Sequence, residues 1–158
     1  MGITVEFFSA SPQEIVDVFT LSLEDIDRFV GLLELYPVAD FSLHLQIPED
    51  MDRLCRAMRR NNLSAPLIFR ELLVEQLWYD GSSESLASID KNFALVWSEI
   101  DDSSLENITI DWSMEFHYQE PLHQTPAYKA LLELRKVAQD VITQNTSLIL
   151  HLLGSPLF

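Results

Sequence analysis

Glycine is scarce in this sequence, with only four among 158 residues, at positions 2, 31, 81 and 154. A Walker loop or a dinucleotide-binding turn needs several closely spaced glycines, because the backbone must approach a phosphate there. The wide spacing excludes both motifs, and a Gly-x-Ser-x-Gly nucleophile elbow is also missing. The sequence therefore assigns no cofactor and no catalytic residue, although it does not exclude an enzyme whose catalytic residues converge from distant positions.

Cysteine is nearly absent as well. Cys55 is the only one, so no intramolecular disulfide can form, and a reducing cytoplasm is the expected compartment. Leu54 and Met58 place it on the apolar stripe of a predicted helix, where we interpret it as a small buried hydrophobe rather than a reactive thiolate.

Basic residues are few: 10 Lys and Arg stand against 25 Asp and Glu, and the formal net charge is −15. Such a surface repels the phosphate backbone, so nucleic acid is not expected as a partner. The same excess of acidic residues favours solubility and would speed the encounter with a basic protein.

Long apolar runs are missing too. The longest, at 148–153, is interrupted by His151 and falls far short of the roughly 20 residues that cross a bilayer. The N-terminal segment has no basic region and carries Glu6 within its apolar stretch, so it does not resemble a signal peptide. We therefore expect a soluble cytoplasmic protein that does not associate with a membrane.

The most regular pattern present is an alternation of apolar and polar residues at 108–118. It predicts a β-strand with one buried face, in which Trp112 and Phe116 point into the core. The opposite parity should form a row that faces water or a partner and consists of Thr109, Asp111, Ser113, Glu115 and His117.

Three further strands are predicted, at 3–8, 41–47 and 148–153. The last is apolar on nearly both parities, which indicates a central strand covered on both faces, and we interpret its His151 as a satisfied core or edge histidine. Capping residues, prolines and helical spacing predict six helices, at 12–19, 22–37, 48–61, 66–80, 85–100 and from 126 onward. Residues 1–158 are expected to form a single α+β domain, with a mostly antiparallel sheet of about four strands packed with about six helices.

Metal-ligating residue types occur on the polar row. Glu115 and His117 would lie on one face of the strand, and Glu120 and His123 follow nearby. The spacing matches no zinc signature, and polar side chains are expected on the exposed side of a sheet, so no metal is assigned. The candidate functional surface consists of Asp111, Ser113, Glu115, His117, Asp90 and Lys91.

Arginines are concentrated in one predicted helix, as Arg53, Arg56, Arg59 and Arg60. They could mark an anion or phosphate site, because arginine forks suit such ligands. Alternatively, Glu49 and Asp52 stand four residues before Arg53 and Arg56 and form intrahelical ion pairs, while the last two arginines favour the helix macrodipole. We prefer the second interpretation, a solvated surface helix.

The helix that opens with Asp90 and Lys91 contributes to a family resemblance. Three anchors occur in order: MGITVEFF followed by SPQEI at the start, Asp90-Lys91-x-Phe93-x-x-Val96-Trp97, and Leu134-Arg135 leading into the apolar run at 148–153. In these anchors the chain resembles the YfbM-like family of small bacterial proteins of unknown function, although that family usually has Trp and His where Phe93 and Trp97 stand. The resemblance implies a single α+β domain in a bacterial cytoplasm and brings no catalytic residues.

Two functions of different classes remain open. The first is a non-catalytic binding or interaction protein with an acidic surface, whose partner is a basic protein such as a toxin. The second is a hydrolase or metal-assisted enzyme that uses Asp111, Glu115 and His117. A homodimer sealed through an exposed sheet edge is compatible with either. We prefer the first, because the negative charge is large and cofactor motifs are absent.

Overall fold

The computed structural model describes residues 3–21, 36–42 and 48–154. In these ranges the strands are β1 (Thr4–Ala10), β2 (Val38–Asp40), β3 (Leu73–Tyr79), β4 (Glu84–Ile89) and β5 (Ser147–Leu153). They form one antiparallel sheet in the order β2-β1-β5-β4-β3. The α-helices are α1 (Pro12–Leu21), α2 (Glu49–Arg60), α3 (Lys91–Glu99), α4 (Asp102–Ser113) and α5 (Pro126–Gln144). The predicted α+β class is confirmed, with five strands rather than about four and five helices in the described ranges rather than about six.

The strand β5 occupies the middle of the sheet, between β1 and β4. Leu148, Leu150 and Leu152 belong to a large apolar core on one face of the sheet, whereas Ile149 belongs to a smaller cluster. Both parities are apolar because neither faces water. The predicted central strand is therefore confirmed.

Apolar side chains from the helices cover both faces of the sheet. The large core contains buried residues of α2, α3, α4 and α5 together with Val5 and Phe7 of β1. The smaller cluster contains Ile15 and Phe19 of α1, which pack with Phe8, Leu86 and Ile149 of the sheet.

The long helix α5 begins where the sequence predicts. Thr125 Oγ1 accepts a hydrogen bond from the Tyr128 N–H at 3.2 Å, Pro126 lies in the first turn, and Asn145 ends the helix with a left-handed backbone. The helices predicted at 12–19 and 48–61 are confirmed as α1 and α2. The predicted helix at 22–37 and the predicted strand at 41–47 lie mostly outside the described residues.

The predicted strand at 108–118 is wrong. Residues 108–113 belong to α4, a 3₁₀ turn follows at Met114–Phe116, and His117 then has a left-handed backbone with a φ of 54°. The polar residues that were expected on one face of a strand therefore lie at different positions around α4 and in the turn that follows it.

The reason for this difference lies upstream of the alternating segment. The Asp101 carboxylate accepts a hydrogen bond from the backbone N–H three residues on, at 2.7 Å, and so caps the helix. Leu105, Ile108 and Trp112 then recur at helical spacing on the buried side, whereas Ile110 is 49% exposed. The helical stripe, which begins before the alternation, decides which residues are buried.

The predicted helix at 66–80 is also wrong, because β3 and β4 form an antiparallel hairpin. The Asp80 carboxylate accepts hydrogen bonds from the backbone N–H groups of Ser82, Ser83 and Glu84 at 2.7, 2.9 and 3.1 Å. Gly81 beside it has a φ of 85°, a backbone conformation that is unfavourable for residues with a Cβ atom. An Asp-Gly pair between two strand-like runs is a hairpin signal, and here it closes the turn.

The predicted helix at 85–100 begins too early. Its first residues form β4, and the helix α3 starts only after Asp90, whose carboxylate accepts a hydrogen bond from the Asn92 N–H at 2.7 Å. Leu86 and Ile89 match the helical spacing but lie on opposite faces of the sheet, one in each apolar layer.

Candidate functional site

The predicted candidate surface is not a single row. Asp111 and Ser113 lie on α4, whereas Asp90 and Lys91 lie at the start of α3. Asp90 caps that helix, and Lys91 Nζ donates a hydrogen bond to Asn145 Oδ1 at 3.3 Å, just after α5. These two residues are therefore engaged at helix ends.

Two of the predicted residues do come together. Ser113 and His117 line a shallow depression of about 450 Å³, together with Glu120. Asp111 instead accepts a hydrogen bond from Asn61 Nδ2 at 2.9 Å, and the side chain of Glu115 lies outside the described part of the chain. The enzyme hypothesis stays a prediction, but the strand geometry on which it relied is not formed.

Metal-ligand side chains do not cluster in the described ranges: no group of three or more His, Cys, Asp and Glu there could hold a metal ion. His123 Nε2 lies 2.8 Å from Glu106 Oε1, and the His123 ring packs against Tyr128 with centroids 4.6 Å apart. Burial, together with the negative charge of Asp52, raises the pKa of the Cys55 thiol to about 12, so Cys55 is not a thiolate at neutral pH.

A cleft of about 250 Å³ opens between the end of β2, the end of α4 and the first half of α5. We call it the aromatic cleft. Its walls are formed by Asp40, Phe41, Trp112, Phe116, Tyr118, Pro126, Ala127, Lys129, Ala130 and Glu133.

The four rings of the aromatic cleft contact one another in sequence. Phe41 and Trp112 have centroids 5.6 Å apart, Trp112 and Phe116 are 5.3 Å apart at 86°, and Phe116 and Tyr118 are 5.8 Å apart. These distances lie in the favourable range for aromatic pairs. The left-handed backbone of His117, between the last two rings, turns the chain so that both line the same cleft.

Two of these rings are held in place by contacts with α2. Trp112 Nε1 donates a hydrogen bond to the Asp50 carbonyl oxygen at 2.8 Å. The guanidinium of Arg53 lies 5.3 Å from the centroid of Phe116 and forms an ion pair with the Asp50 carboxylate. The rings are therefore held in place without a ligand, and one of them already contacts a cation.

The polar groups of the aromatic cleft are two carboxylates, an ammonium group and a phenol. Glu133 Oε2 accepts a long hydrogen bond of 3.3 Å from the Asp40 N–H, and Asp40 Oδ1 accepts one of 2.8 Å from the Ser42 N–H. Among the described residues that line the cleft, Lys129 is the only basic one. Burial, and then the negative charges of Glu120 and Asp50, raise the pKa of Tyr118, so its phenol stays neutral at neutral pH.

A second cleft, of about 330 Å³, shares Trp112 with the aromatic cleft. We call it the arginine cleft. It is lined by Arg53, Arg56, Arg60, Asp111, Trp112 and Met114. Because α2 contributes the arginines, and α4 with the turn after it contributes the other residues, the packing of these two helices forms the cleft.

A buried charged triad crosses the centre of the sheet. His151 on β5 is fully buried, and its Nδ1 and Nε2 lie 3.0 Å from Glu6 Oε2 and 3.1 Å from Glu84 Oε1. Glu6 is the register partner of His151 on β1. The interpretation of His151 as a satisfied core histidine is confirmed, but the sequence alone did not reveal its partners, which depend on strand order and register.

Comparison with models of known protein families, with curated proteins and with solved structures finds no match to this chain. Of the helices that the structure describes, none has both the length and the apolar character needed to cross a membrane.

Proposed function

We propose that this protein is a non-catalytic binding protein and that its aromatic cleft receives a basic side chain of a partner protein. The observation that carries the proposal is the presence of Asp40 and Glu133 in the same cleft as the half-buried rings of Phe116 and Tyr118, which stand beside the buried rings of Phe41 and Trp112. The face of an aromatic ring attracts a cation, and a carboxylate forms a charge-assisted hydrogen bond with it. Such a cleft therefore recognises an arginine or lysine side chain.

The size of the aromatic cleft supports a single side chain as the ligand. Its volume of about 250 Å³ equals that of roughly eight water molecules in the liquid. This is smaller than the roughly 300–1,000 Å³ that is usual for drug-sized ligands. The proposed ligand is thus one residue of a protein surface rather than a free organic substrate.

The charge of the whole chain supports a basic partner. The formal net charge of −15 creates a field that speeds the encounter with a positively charged protein and slows it with a negatively charged one. Inside the cleft, the carboxylates of Asp40 and Glu133 outnumber the ammonium of Lys129. The long-range field and the local charge therefore favour the same ligand.

An NMR titration with a short alanine peptide that carries one central arginine tests the proposal. The Trp112 indole N–H, which donates to Asp50, is the reporter. We expect saturable shifts with roughly millimolar affinity, weaker at high salt. The same peptide with citrulline in place of arginine keeps the shape but lacks the charge, and it should bind much more weakly.

Matched variants locate the binding to the cleft. Asp40→Asn and Glu133→Gln should each weaken the peptide roughly two- to fivefold, because each removes one partly exposed carboxylate. Glu75→Gln removes an exposed carboxylate from β3, outside the cleft, and should leave the affinity unchanged. Equal binding of the citrulline peptide, or equal effects of all three variants, would overturn the proposal.

A further inference from the structure

The ion pair that the sequence predicts for Arg56 is not formed. Asp52, four residues before it, uses Oδ1 to accept a hydrogen bond from the Phe69 backbone N–H at 2.7 Å. Among the described side chains, the ion pairs of α2 join Arg53 to Asp50 and Arg60 to Asp111 and leave Arg56 out. The interpretation of the arginines as a row of intrahelical pairs therefore fails at Arg56.

The arginines that line the arginine cleft have different degrees of restraint. Arg53 is held by the Asp50 carboxylate and by the ring of Phe116. Arg60 Nε lies 3.8 Å from Asp111 Oδ2. Arg56, which lies between them on the same side of α2, is exposed. The held guanidinium of Arg53 and the loosely paired one of Arg60 thus flank a third that is available to a ligand.

Three like charges at spacings of three and four residues on one helix face repel one another. Asp50 and Asp111 offset two of these three charges, through Arg53 and Arg60, and leave the charge of Arg56 without a paired carboxylate in the part of the chain that the structure describes. A bound anion would relieve the repulsion, and the planar fork of each guanidinium matches the oxygens of such an anion. The fourth arginine of the helix, Arg59, points elsewhere and donates to the Ala65 carbonyl oxygen at 3.0 Å.

We propose that the arginine cleft binds a phosphate group, either as inorganic phosphate or on a small phosphomonoester. A volume of about 330 Å³ accommodates a group of this size. The chain's net charge of −15 disfavours long polyanions. It does not prevent the binding of a small anion. Salt screens charges beyond about 8 Å, so the electrostatic potential in the cleft is set mainly by the nearby arginines. This inference does not depend on the proposed function, because Trp112 is the one residue that the two clefts have in common among their described lining residues.

The test is an NMR titration of the protein with sodium phosphate, followed on the arginine Nε–H and backbone signals, with sodium chloride at equal ionic strength as the reference. We expect saturable shifts confined to the residues that line the arginine cleft. Arg56→Gln should weaken phosphate binding about tenfold or more, because it removes charge-assisted hydrogen bonds. Arg70→Gln, which removes an exposed arginine outside the cleft, should not change the affinity.

Further arms of the experiment separate the outcomes. Asp111→Asn removes the acidic group of the cleft and should tighten phosphate binding. Tighter binding of glycerol phosphate than of inorganic phosphate would identify the phosphomonoester as the ligand, and the reverse order would identify the free ion. Shifts that do not saturate, that chloride reproduces, or that persist unchanged in Arg56→Gln would overturn the proposal.

Discussion

His151 Nδ1 lies 3.0 Å from Glu6 Oε2 in the middle of the sheet, and the two residues are register partners on adjacent strands. The other ring nitrogen contacts Glu84, so both nitrogens face carboxylates and the doubly protonated imidazolium satisfies both. Burial alone would lower the pKa of His151, but the hydrogen bonds and negative charges of Glu6 and Glu84 reverse this effect and raise it.

The raised pKa of His151 predicts how stability depends on pH. The folded state binds the proton more tightly than the unfolded chain, where the pKa is about 6.5. The stability that this proton supplies is complete below about pH 6.5 and is lost as the pH rises through the folded-state value. Urea unfolding of the parent and of His151→Gln, from about pH 6 to pH 9, should show a difference in unfolding free energy that shrinks with rising pH. A difference that is constant or grows would contradict the assignment.

The same triad predicts a non-additive mutation series. His151→Leu leaves the carboxylates of Glu6 and Glu84 buried against an apolar group and should cost about 3 kcal/mol or more of unfolding free energy. Replacing all three residues by leucine removes every buried charge of the triad and should recover most of that loss. Urea denaturation of the single and triple variants measures both values. A triple variant less stable than the single one would show that the triad contributes net stability.

Local sequence predicted the elements whose pattern and end signals agree. The strand β5 is apolar on both parities and lies in the centre of the sheet, and α5 has Thr125 before its first turn and Asn145 after its last. For α5 the apolar spacing and the capping residues indicate the same element, and for β5 the apolar run indicates a buried strand. Such agreement explains why these predictions are confirmed.

Prediction failed where two periods fit the same residues. The large side chains from Ile108 to Phe116 satisfy a period of two, but Leu105, Ile108 and Trp112 also satisfy the helical period, and packing selects the second. Leu86 and Ile89 show the opposite error: their spacing predicted a helix, but both residues lie in the strand β4. The apolar pattern alone could not distinguish the alternatives, whereas Asp101 and the Asp80-Gly81 pair carried the deciding information.

The candidate site was predictable only in part. Trp112 and Phe116 were expected to be buried together, and they do pack against each other at 5.3 Å. Their neighbours Phe41 and Glu133 come from distant parts of the chain, and only the fold brings them to the same cleft. The cluster of arginines was visible in the sequence, but the loss of the partner for Arg56 depends on the Phe69 backbone.

The homodimer expected from an exposed sheet edge stays a prediction, and β3 is the edge that it would use. β2, the other edge strand, spans only three residues, whereas β3 exposes 68% of Val74. A dimer formed through this edge would scatter light with twice the mass of 18.2 kDa and would dissociate in Val74→Lys, since a charged residue blocks edge pairing. A dimeric mass that persists in that variant would exclude β3 as the interface.

The hairpin turn predicts a purely conformational cost at Gly81. A Cβ added there would meet nothing within 4 Å, but the φ of +85° opposes any side chain. Gly81→Ala should therefore lower the unfolding free energy by about 1 kcal/mol without a steric clash. Ser82→Ala in the same turn keeps the backbone N–H that donates to Asp80 and should change stability little. Thermal unfolding of both variants checks this, and a neutral Gly81→Ala would mean that the turn relaxes.

The carboxylate of Asp101 caps the start of α4, the helix that contains most of the segment predicted as a strand, and its removal should destabilise that helix end. Asp101→Ala removes the carboxylate that accepts the Ser104 N–H hydrogen bond at 2.7 Å and should destabilise the protein by about 1 kcal/mol. Ser103→Ala changes an exposed residue of the first turn and serves as the matched control. Amide hydrogen exchange should show faster exchange from Ser104 through the first turn of α4 in Asp101→Ala, because the cap stabilises that end of the helix. Unchanged exchange at Ser104 and in the first turn of Asp101→Ala would contradict the cap and the start of α4, and with it the helix that brings Trp112 to the aromatic cleft.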